Sequence, residues 1–196
     1  MRVIAGIYRS RPLAAPRGLS TRPTSDRLRE TLFNVLAGRI PGSRFVDLYA
    51  GSGAVGIEAI SRGASHVYFA EKSPAAIAAI RANLRTLVVA SGFSIETTGV
   101  AALLKGIDGG PVDVVFLDPP YDDAEEYRRT LAALGQAEVG TLLHAHAMVI
   151  AEHTRKELLL DRYGSLARTR TLLQGDVALS FYTLQAPEEV VPALVD

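Results

Sequence analysis

Two kinds of hydrophobic spacing alternate along this chain. From Arg44 onward, short apolar runs give way repeatedly to segments whose apolar residues recur every three or four positions. Phe45–Leu48, Val67–Ala70, Phe93–Glu96, Val112–Leu117 and Ala147–Glu152 predict five strands. Between them, helices are predicted over Gly53–Arg62, from Pro74 to about Val89, and over Asp123–Leu134. Ser73-Pro74 supplies the second of these with a cap and a proline at its first position. Upstream, Arg22-Pro23-Thr24-Ser25-Asp26 reads as a helix start, with Thr24 or Ser25 as cap and Asp26 in the first turn. Leu28, Leu32, Phe33, Val35 and Leu36 form that helix's apolar face, which ends near Gly38. Val3–Ala5 and Pro12–Ala14 predict short strands on either side of a basic loop. Leu166–Leu173 and Val177–Leu184 flank Gln174-Gly175-Asp176 as a hairpin.

Strands alternating with helices imply an α/β fold with a parallel sheet covered on both faces. The terminal hairpin must add an antiparallel strand. Three parts are expected: a basic extension with the first helix over 1–40, the sheet domain over 41–186, and an acidic, frayed tail over 187–196. Ligands of such sheets bind at the carboxyl ends of the strands, so function is expected just after Leu48, Ala70 and Leu117.

Composition narrows the chemistry. The 196 residues contain no cysteine, which excludes disulfides, thiolate metal sites and a cysteine nucleophile. His144 and His146 lack a third partner, so no metal is expected. No run approaches the roughly 18 apolar residues of a membrane helix, and the first uncharged stretch is too short for a secretion signal. A soluble, cytoplasmic monomer is expected.

The net charge of zero hides an asymmetry. Residues 1–29 hold seven arginines (Arg2, Arg9, Arg11, Arg17, Arg22, Arg27 and Arg29) against Asp26 alone, while the other 167 residues hold 14 basic and 20 acidic side chains. Clustered arginine points to an anionic partner such as RNA, because guanidinium groups fork onto phosphates and stack on bases. Arg81, Arg85, Arg128 and Arg129, on predicted helices, read as solvated faces.

After the first sheet strand comes Asp47-Leu48-Tyr49-Ala50-Gly51-Ser52-Gly53-Ala54-Val55-Gly56, whose glycines fit G-x-G-x-x-G. Nicotinamide and flavin enzymes share that spacing. Asp47 separates the ligands: a carboxylate there repels a pyrophosphate and attracts the ammonium and sulfonium of S-adenosylmethionine. Glu71, ending the second strand 20 residues after Gly51, stands where an acid accepts from ribose hydroxyls.

The fourth strand ends in Asp118-Pro119-Pro120-Tyr121. Two prolines remove two N–H donors and leave the carbonyls of the turn as acceptors. Asp118 adds a carboxylate acceptor, and Tyr121 offers a ring on which a flat base stacks. Acceptors beside an aromatic plate suit a planar substrate with an exocyclic amine. Bonds to both hydrogens of that amine localise its lone pair for attack on a methyl carbon.

Asp47-Leu48-Tyr49-Ala50-Gly51-Ser52-Gly53 together with Asp118-Pro119-Pro120-Tyr121 resembles the class I S-adenosylmethionine-dependent methyltransferases of exocyclic amines. Arg22-Pro23-Thr24-Ser25-Asp26-Arg27-Leu28-Arg29-Glu30-Thr31-Leu32-Phe33-Asn34 and Ile57-Glu58-Ala59-Ile60-Ser61-Arg62-Gly63-Ala64 narrow the resemblance to the bacterial RsmD family, guanine-N2 methyltransferases of 16S rRNA. It covers roughly residues 2–184 and implies a Rossmann-like, seven-stranded sheet whose last strand is antiparallel. The implied partner is 16S rRNA within the small ribosomal subunit or its assembly intermediate. Asp118, Pro119, Pro120 and Tyr121 would hold the guanine. Asp47, Tyr49, Ala50, Gly51, Ser52, Gly53, Glu71 and Lys72 would hold the cofactor. Arg9, Arg11, Arg17, Arg22, Pro23 and Thr24 would meet RNA. Many relatives follow the third strand with an Asp or Asn for the adenine amine. Gly99-Val100-Ala101-Ala102 has neither, which leaves the backbone of Val100 and Ala101 for that bond. Adenine-N6 of DNA and a protein glutamine remain alternative acceptors. A nicotinamide dehydrogenase and a non-catalytic RNA-binding module are the readings of other classes.

Overall fold

A computed structural model of the chain describes residues 1–16, 25–119, 124–136 and 141–185. Its centre is a single sheet of β1 (Arg44–Leu48), β2 (His66–Ala70), β3 (Phe93–Glu96), β4 (Val112–Leu117), β5 (Leu143–Thr154), β6 (Arg162–Tyr163), β7 (Leu166–Gln174) and β8 (Val177–Leu184). The order is β3-β2-β1-β4-β5-β8-β7-β6. Strands β1 to β5 run parallel, β8 is antiparallel to β5, and β7 and β6 continue the antiparallel edge. The chain winds outward from β1 to β3 and then crosses to β4 on β1's other side. The carboxyl ends of β1 and β4 therefore flank the crevice where such sheets take their ligands.

Helices α1 (Asp26–Val35), α2 (Ala54–Ser61), α3 (Pro74–Thr86), α4 (Val100–Gly106) and α5 (Ala124–Gln136) complete the fold, with a 3-10 turn at Ala37–Arg39. Strand alternation sorts the core onto two faces. Phe45, Phe69, Phe116, Ile150 and Phe181 pack with Leu32 and Phe33 of α1, Ile57 of α2 and Ile80 of α3. Leu48, Val115, Leu117, Val149 and Tyr182 pack with Leu103 of α4 and Tyr127, Leu131 and Leu134 of α5. Full burial of each such side chain stabilises the fold by about 1.5–3 kcal/mol. The starts of α1 and α3 follow the sequence signals. Ser25 Oγ accepts from Leu28 N at 3.1 Å, and Ser73 caps α3 with Pro74 in its first turn.

The structure departs from the sequence reading in four places. The sheet has eight strands rather than seven. The addition, β6, is two residues long and joins β7 through Gly164 and Ser165. Ser165 donates from both its backbone N and its Oγ to Gly135 O, at 2.9 and 2.7 Å, which ties this turn to the end of α5. Helix α4 stands where the sequence pattern predicts no helix, for it is short and starts at Gly99 without a side-chain cap. The two N-terminal strands are reduced to one antiparallel bridge, Arg2 to Pro12. Beyond the bridge the chain turns to Glu58 of α2, whose carboxylate accepts from Ile4 N at 2.7 Å and Ala5 N at 2.9 Å. Finally, Arg29, one of the seven arginines expected to serve an anionic partner, is fully buried in α1. It donates to Arg2 O at 2.6 Å and to Asp26 Oδ1 at 2.9 Å, so it braces the N-terminal segment. Burial pulls its guanidinium below the ordinary arginine value. The expected tail, 187–196, lies outside the described residues.

Glu58 thus carries three bonds, the third from Arg62 Nε at 2.7 Å. Glu58→Ala leaves two backbone donors and a guanidinium without their acceptor. The expected loss of stability is about 3 kcal/mol by urea denaturation; a loss below about 0.5 kcal/mol would show that the N-terminal segment is docked by other contacts.

Candidate active site

The loop after β1 is held by two carboxylates from neighbouring strands. Asp47 Oδ2 accepts from Gly56 N at 2.8 Å, inside the first turn of α2. Glu71, just past β2, accepts from Gly51 N through Oε2 and from Ser73 N through Oε1, both at 2.7 Å. Ala50 N donates to Ala70 O at 2.9 Å, and Gly53 N back to Ala50 O at 2.7 Å. Gly51 and Gly53 adopt φ of 54° and 76°, left-handed values that favour glycine. Gly51 also opens onto free space, so a ligand can approach its backbone. Gly56 serves packing instead. A Cβ there would overlap the Phe69 ring, so this glycine lets α2 lie close on the sheet.

Tyr49 is a non-glycine residue at positive φ, 64°. Its hydroxyl donates to Glu126 Oε1 at 2.7 Å and lies 2.8 Å from Thr130 Oγ1, which ties the glycine loop to α5. Ser52 O accepts from Asn83 Nδ2 at 3.1 Å, and the same side-chain amide pairs with both backbone groups of Ala14. The N-terminal segment therefore runs beside the loop. The Lys72 side chain lies against Gly99, and Val100 and Ala101 open α4 just beyond.

Asp118 follows β4 and is half-buried; Pro119 behind it is buried. Burial, with the charges of Glu152 and Asp47, pushes the Asp118 carboxyl well above the usual carboxylate range. Asp47 is 2% exposed, and burial raises it from 3.8 to about 7 against the opposing bond from Gly56. The carboxylate expected to face an open pocket is thus largely enclosed and half-protonated near neutrality. Sequence reasoning missed Glu152. Its signal was an acid in the apolar run Val149-Ile150-Ala151 of β5, at the level where β4 gives way to Asp118.

The structure gathers Asp47, Tyr49, Ala50, Gly51, Ser52, Gly53, Glu71 and Asp118 at the carboxyl ends of β1, β2 and β4. Arg9 and Arg11 are exposed on the N-terminal turn, with Arg11 Nη2 donating to Thr86 O at 3.3 Å. Pro120, Tyr121, Arg17, Arg22, Pro23 and Thr24 lie outside the described residues. No cluster of three metal-ligating side chains occurs among the described residues. A cleft of about 410 Å³ between α3 and edge strand β3, lined by Arg81, Arg85 and Phe93 among others, includes none of these strand-end residues.

This strand order, with a glycine loop after β1 and an Asp-Pro turn after β4, is that of a Rossmann-like class I methyltransferase. Within that class the chain belongs to the RsmD family: the family model described as Conserved hypothetical protein 95 matches residues 1–183. Ribosomal RNA small subunit methyltransferase D of Escherichia coli strain K12 is 39% identical over 191 residues, covering 96% of this chain and 92% of that protein. Among solved structures, a proposed methyltransferase, yhhF, from Escherichia coli superposes with a TM-score of 0.78 at 32% identity, over 95% of this chain and 99% of that one. A hypothetical protein of Thermus thermophilus gives a TM-score of 0.77 at 31% identity, over 94% and 99%.

The raised Asp47 carboxyl links stability to pH. Its folded value is higher than its unfolded one, so its contribution is full below pH 3.8 and is lost as pH rises through about 7. Asp47→Asn is expected to flatten the fall in urea stability between about pH 4 and 8; an unaltered slope would place the titration elsewhere.

Proposed function

We propose that this protein transfers a methyl group from S-adenosylmethionine to the exocyclic N2 of a guanine in 16S rRNA of the small ribosomal subunit. The observation that carries the reading is the side-by-side placement of two devices at the switch between β1 and β4. One is a glycine loop pinned open by Glu71; the other is Asp118 with its following Pro119. The sequence relationship to the small-subunit methyltransferase of Escherichia coli supplies the RNA class.

The donor set fits this cofactor. Glu71 beside an accessible Gly51 backbone disfavours a pyrophosphate and suits a hydroxyl-bearing ligand. Asp47, Tyr49, Ala50, Gly51, Ser52, Gly53, Glu71 and Lys72 would hold it, with the backbone of Val100 and Ala101 beside the adenine. When bound, S-adenosylmethionine supplies an activated methyl group on a sulfonium. The chain's own residues bind and orient the acceptor. Asp118 and the Pro119 carbonyl accept the two amine hydrogens, keep the nitrogen lone pair out of the ring and fix its direction of attack. Tyr121 stacks on the base. Positioning of two reactants accounts for most of the acceleration. Arg9, Arg11, Arg17 and Arg22 hold RNA phosphates while the guanine leaves its stack.

The direct test is transfer of labelled methyl groups to small subunits from cells lacking the enzyme, with DNA and a release factor as the competing acceptors. Incorporation at guanine N2 of 16S rRNA is expected; label in DNA or protein alone would replace the reading. Asp118→Ala should cut kcat at least about 100-fold and change cofactor Kd by less than about threefold, an effect sized like loss of one hydrogen-bonding group at a reacting centre. Replacing Arg9 and Arg11 by Gln should lower the slope of log K against log salt by about 1.5, on the order of 0.7–0.9 per phosphate contact. An unchanged slope would remove this turn from the RNA interface.

A further inference from the structure

We propose that the cleft between α3 and edge strand β3 is a second RNA-binding site, in which Arg81 and Arg85 hold the phosphates of a single-stranded segment flanking the target guanine. This rests on the reading of RNA as the methyl acceptor.

The cleft has a volume of about 410 Å³. Leu84 of α3, Val89 just beyond that helix, and Phe93 and Ile95 of β3 give it an apolar floor. Phe93 and Ile95 alternate onto the face where α3 packs, and both are half-buried at the open edge of the sheet.

Charge at this edge has one sign. Between Pro74 and Ile95 the only charged side chains are Arg81 and Arg85. They stand about one turn apart on the same side of α3, and both are exposed. Among the described residues neither forms an ion pair or a hydrogen bond. Like charges at this spacing repel and weaken a helix; an anion held between them removes that repulsion. Glu96, the acid that ends β3, is already bonded by Thr98 N and Thr98 Oγ1, both at 2.7 Å.

The basic surface continues beyond the cleft. Arg11 Nη2 donates to Thr86 O at 3.3 Å, which sets the N-terminal turn and its exposed Arg9 against the end of α3, next to Arg85. Arg9, Arg11, Arg85 and Arg81 thus run from that turn across the end of α3 to the sheet edge.

The occupant follows from this pairing of cations with an apolar floor. A duplex keeps its bases stacked inside and would leave the floor bare. A single strand can lay a base over Phe93 while its phosphates meet the guanidinium groups. The location fits a flanking segment and not the target itself. Strand β3 lies three strand spacings from β4, about 14 Å, and the cleft's lining includes neither Asp118 nor Glu71. An acidic peptide added to the β3 edge is the competing occupant.

The test measures binding of the full-length protein to small subunits from cells lacking the enzyme, over a range of salt. Arg81→Gln combined with Arg85→Gln should lower the slope of log K against log salt by about 1.4, on the order of 0.7 per single-stranded phosphate contact. In methyl transfer the same variant should raise KM at least about fivefold, with kcat and cofactor Kd within about twofold. Its Tm should stay within about 2 °C of wild type, because exposed side chains without partners are being replaced. An unchanged slope and KM leave two solvated arginines and overturn the proposal. A fall in kcat at unchanged KM also overturns it, by making these residues supports of the reacting centre. A photoreactive phenylalanine derivative placed at Ser94, an exposed residue of the cleft lining, should cross-link to 16S rRNA away from the methylated nucleotide. Cross-links to ribosomal protein alone identify a peptide as the occupant and overturn the RNA assignment. Binding and cross-linking need no methyl transfer. Should the subunits accept no methyl group from wild type, the functional reading fails while these two arms still report the cleft.

Discussion

The structure depends on carboxylates that bond backbone N–H groups at the carboxyl ends of the parallel strands. Glu71 holds Gly51 and Ser73, and Asp47 holds Gly56. Through these bonds the turn after β1 and the turn after β2 are fixed to one another and to the start of α2. Glycine at 51 and 53 makes the turn sterically possible, but glycine alone gives a floppy loop. A carboxylate that accepts two backbone donors turns it into a shaped one, because charge-assisted bonds are stronger than neutral ones. The same logic recurs further along α2, where Glu58 takes Ile4 N and Ala5 N and so docks the N-terminal segment on the sheet domain.

Placing these acids on one face has an electrostatic consequence. Asp47, Asp118 and Glu152 project from β1, β4 and β5 into the face packed by α1 and α2. Burial raises the cost of ionising both Asp47 and Asp118, and the charge of Glu152 adds to it in each case, which is why both sit above the ordinary range. Strain of this kind is tolerated where the chemistry uses it. A surface acid such as Glu96, bonded to Thr98 N and Oγ1, shows the opposite shift, because there the bonds favour the charged form.

Most of the sheet was legible in the sequence because buried parallel strands are near-continuous apolar runs. Val112–Leu117 coincides with β4, whereas Phe93–Glu96, which matches β3, is a part-exposed edge strand marked by its alternating Phe93 and Ile95. The glycine spacing and the Ser73-Pro74 cap were equally plain, since each follows from a local rule. What sequence reading lost was decided at long range. Beyond its one bridge the N-terminal segment turns to Glu58, more than 50 residues distant in sequence. Arg29 looked like one cation among seven until α1 turned it inward. The two-residue β6 is held by Gly135, again from another element. Glu152 carried no motif of its own; only the register of β5 against β4 brings it level with Asp118.

An acid-lined crevice and an anionic substrate look incompatible, and the way out of that conflict dictates how RNA approaches. A phosphate drawn toward Asp47 and Asp118 would add negative charge beside acids whose burial already disfavours ionisation. A guanine base is neutral and offers amine hydrogens, the part of a nucleotide that such acceptors attract. On the proposed function, the backbone would stay outside, with the exposed Arg9 and Arg11 available to its phosphates, while the base alone would turn inward. The charge split seen in the sequence, arginine at the start and acid elsewhere, is on this view a division of the substrate itself: cations for the phosphates, carboxylates for the amine.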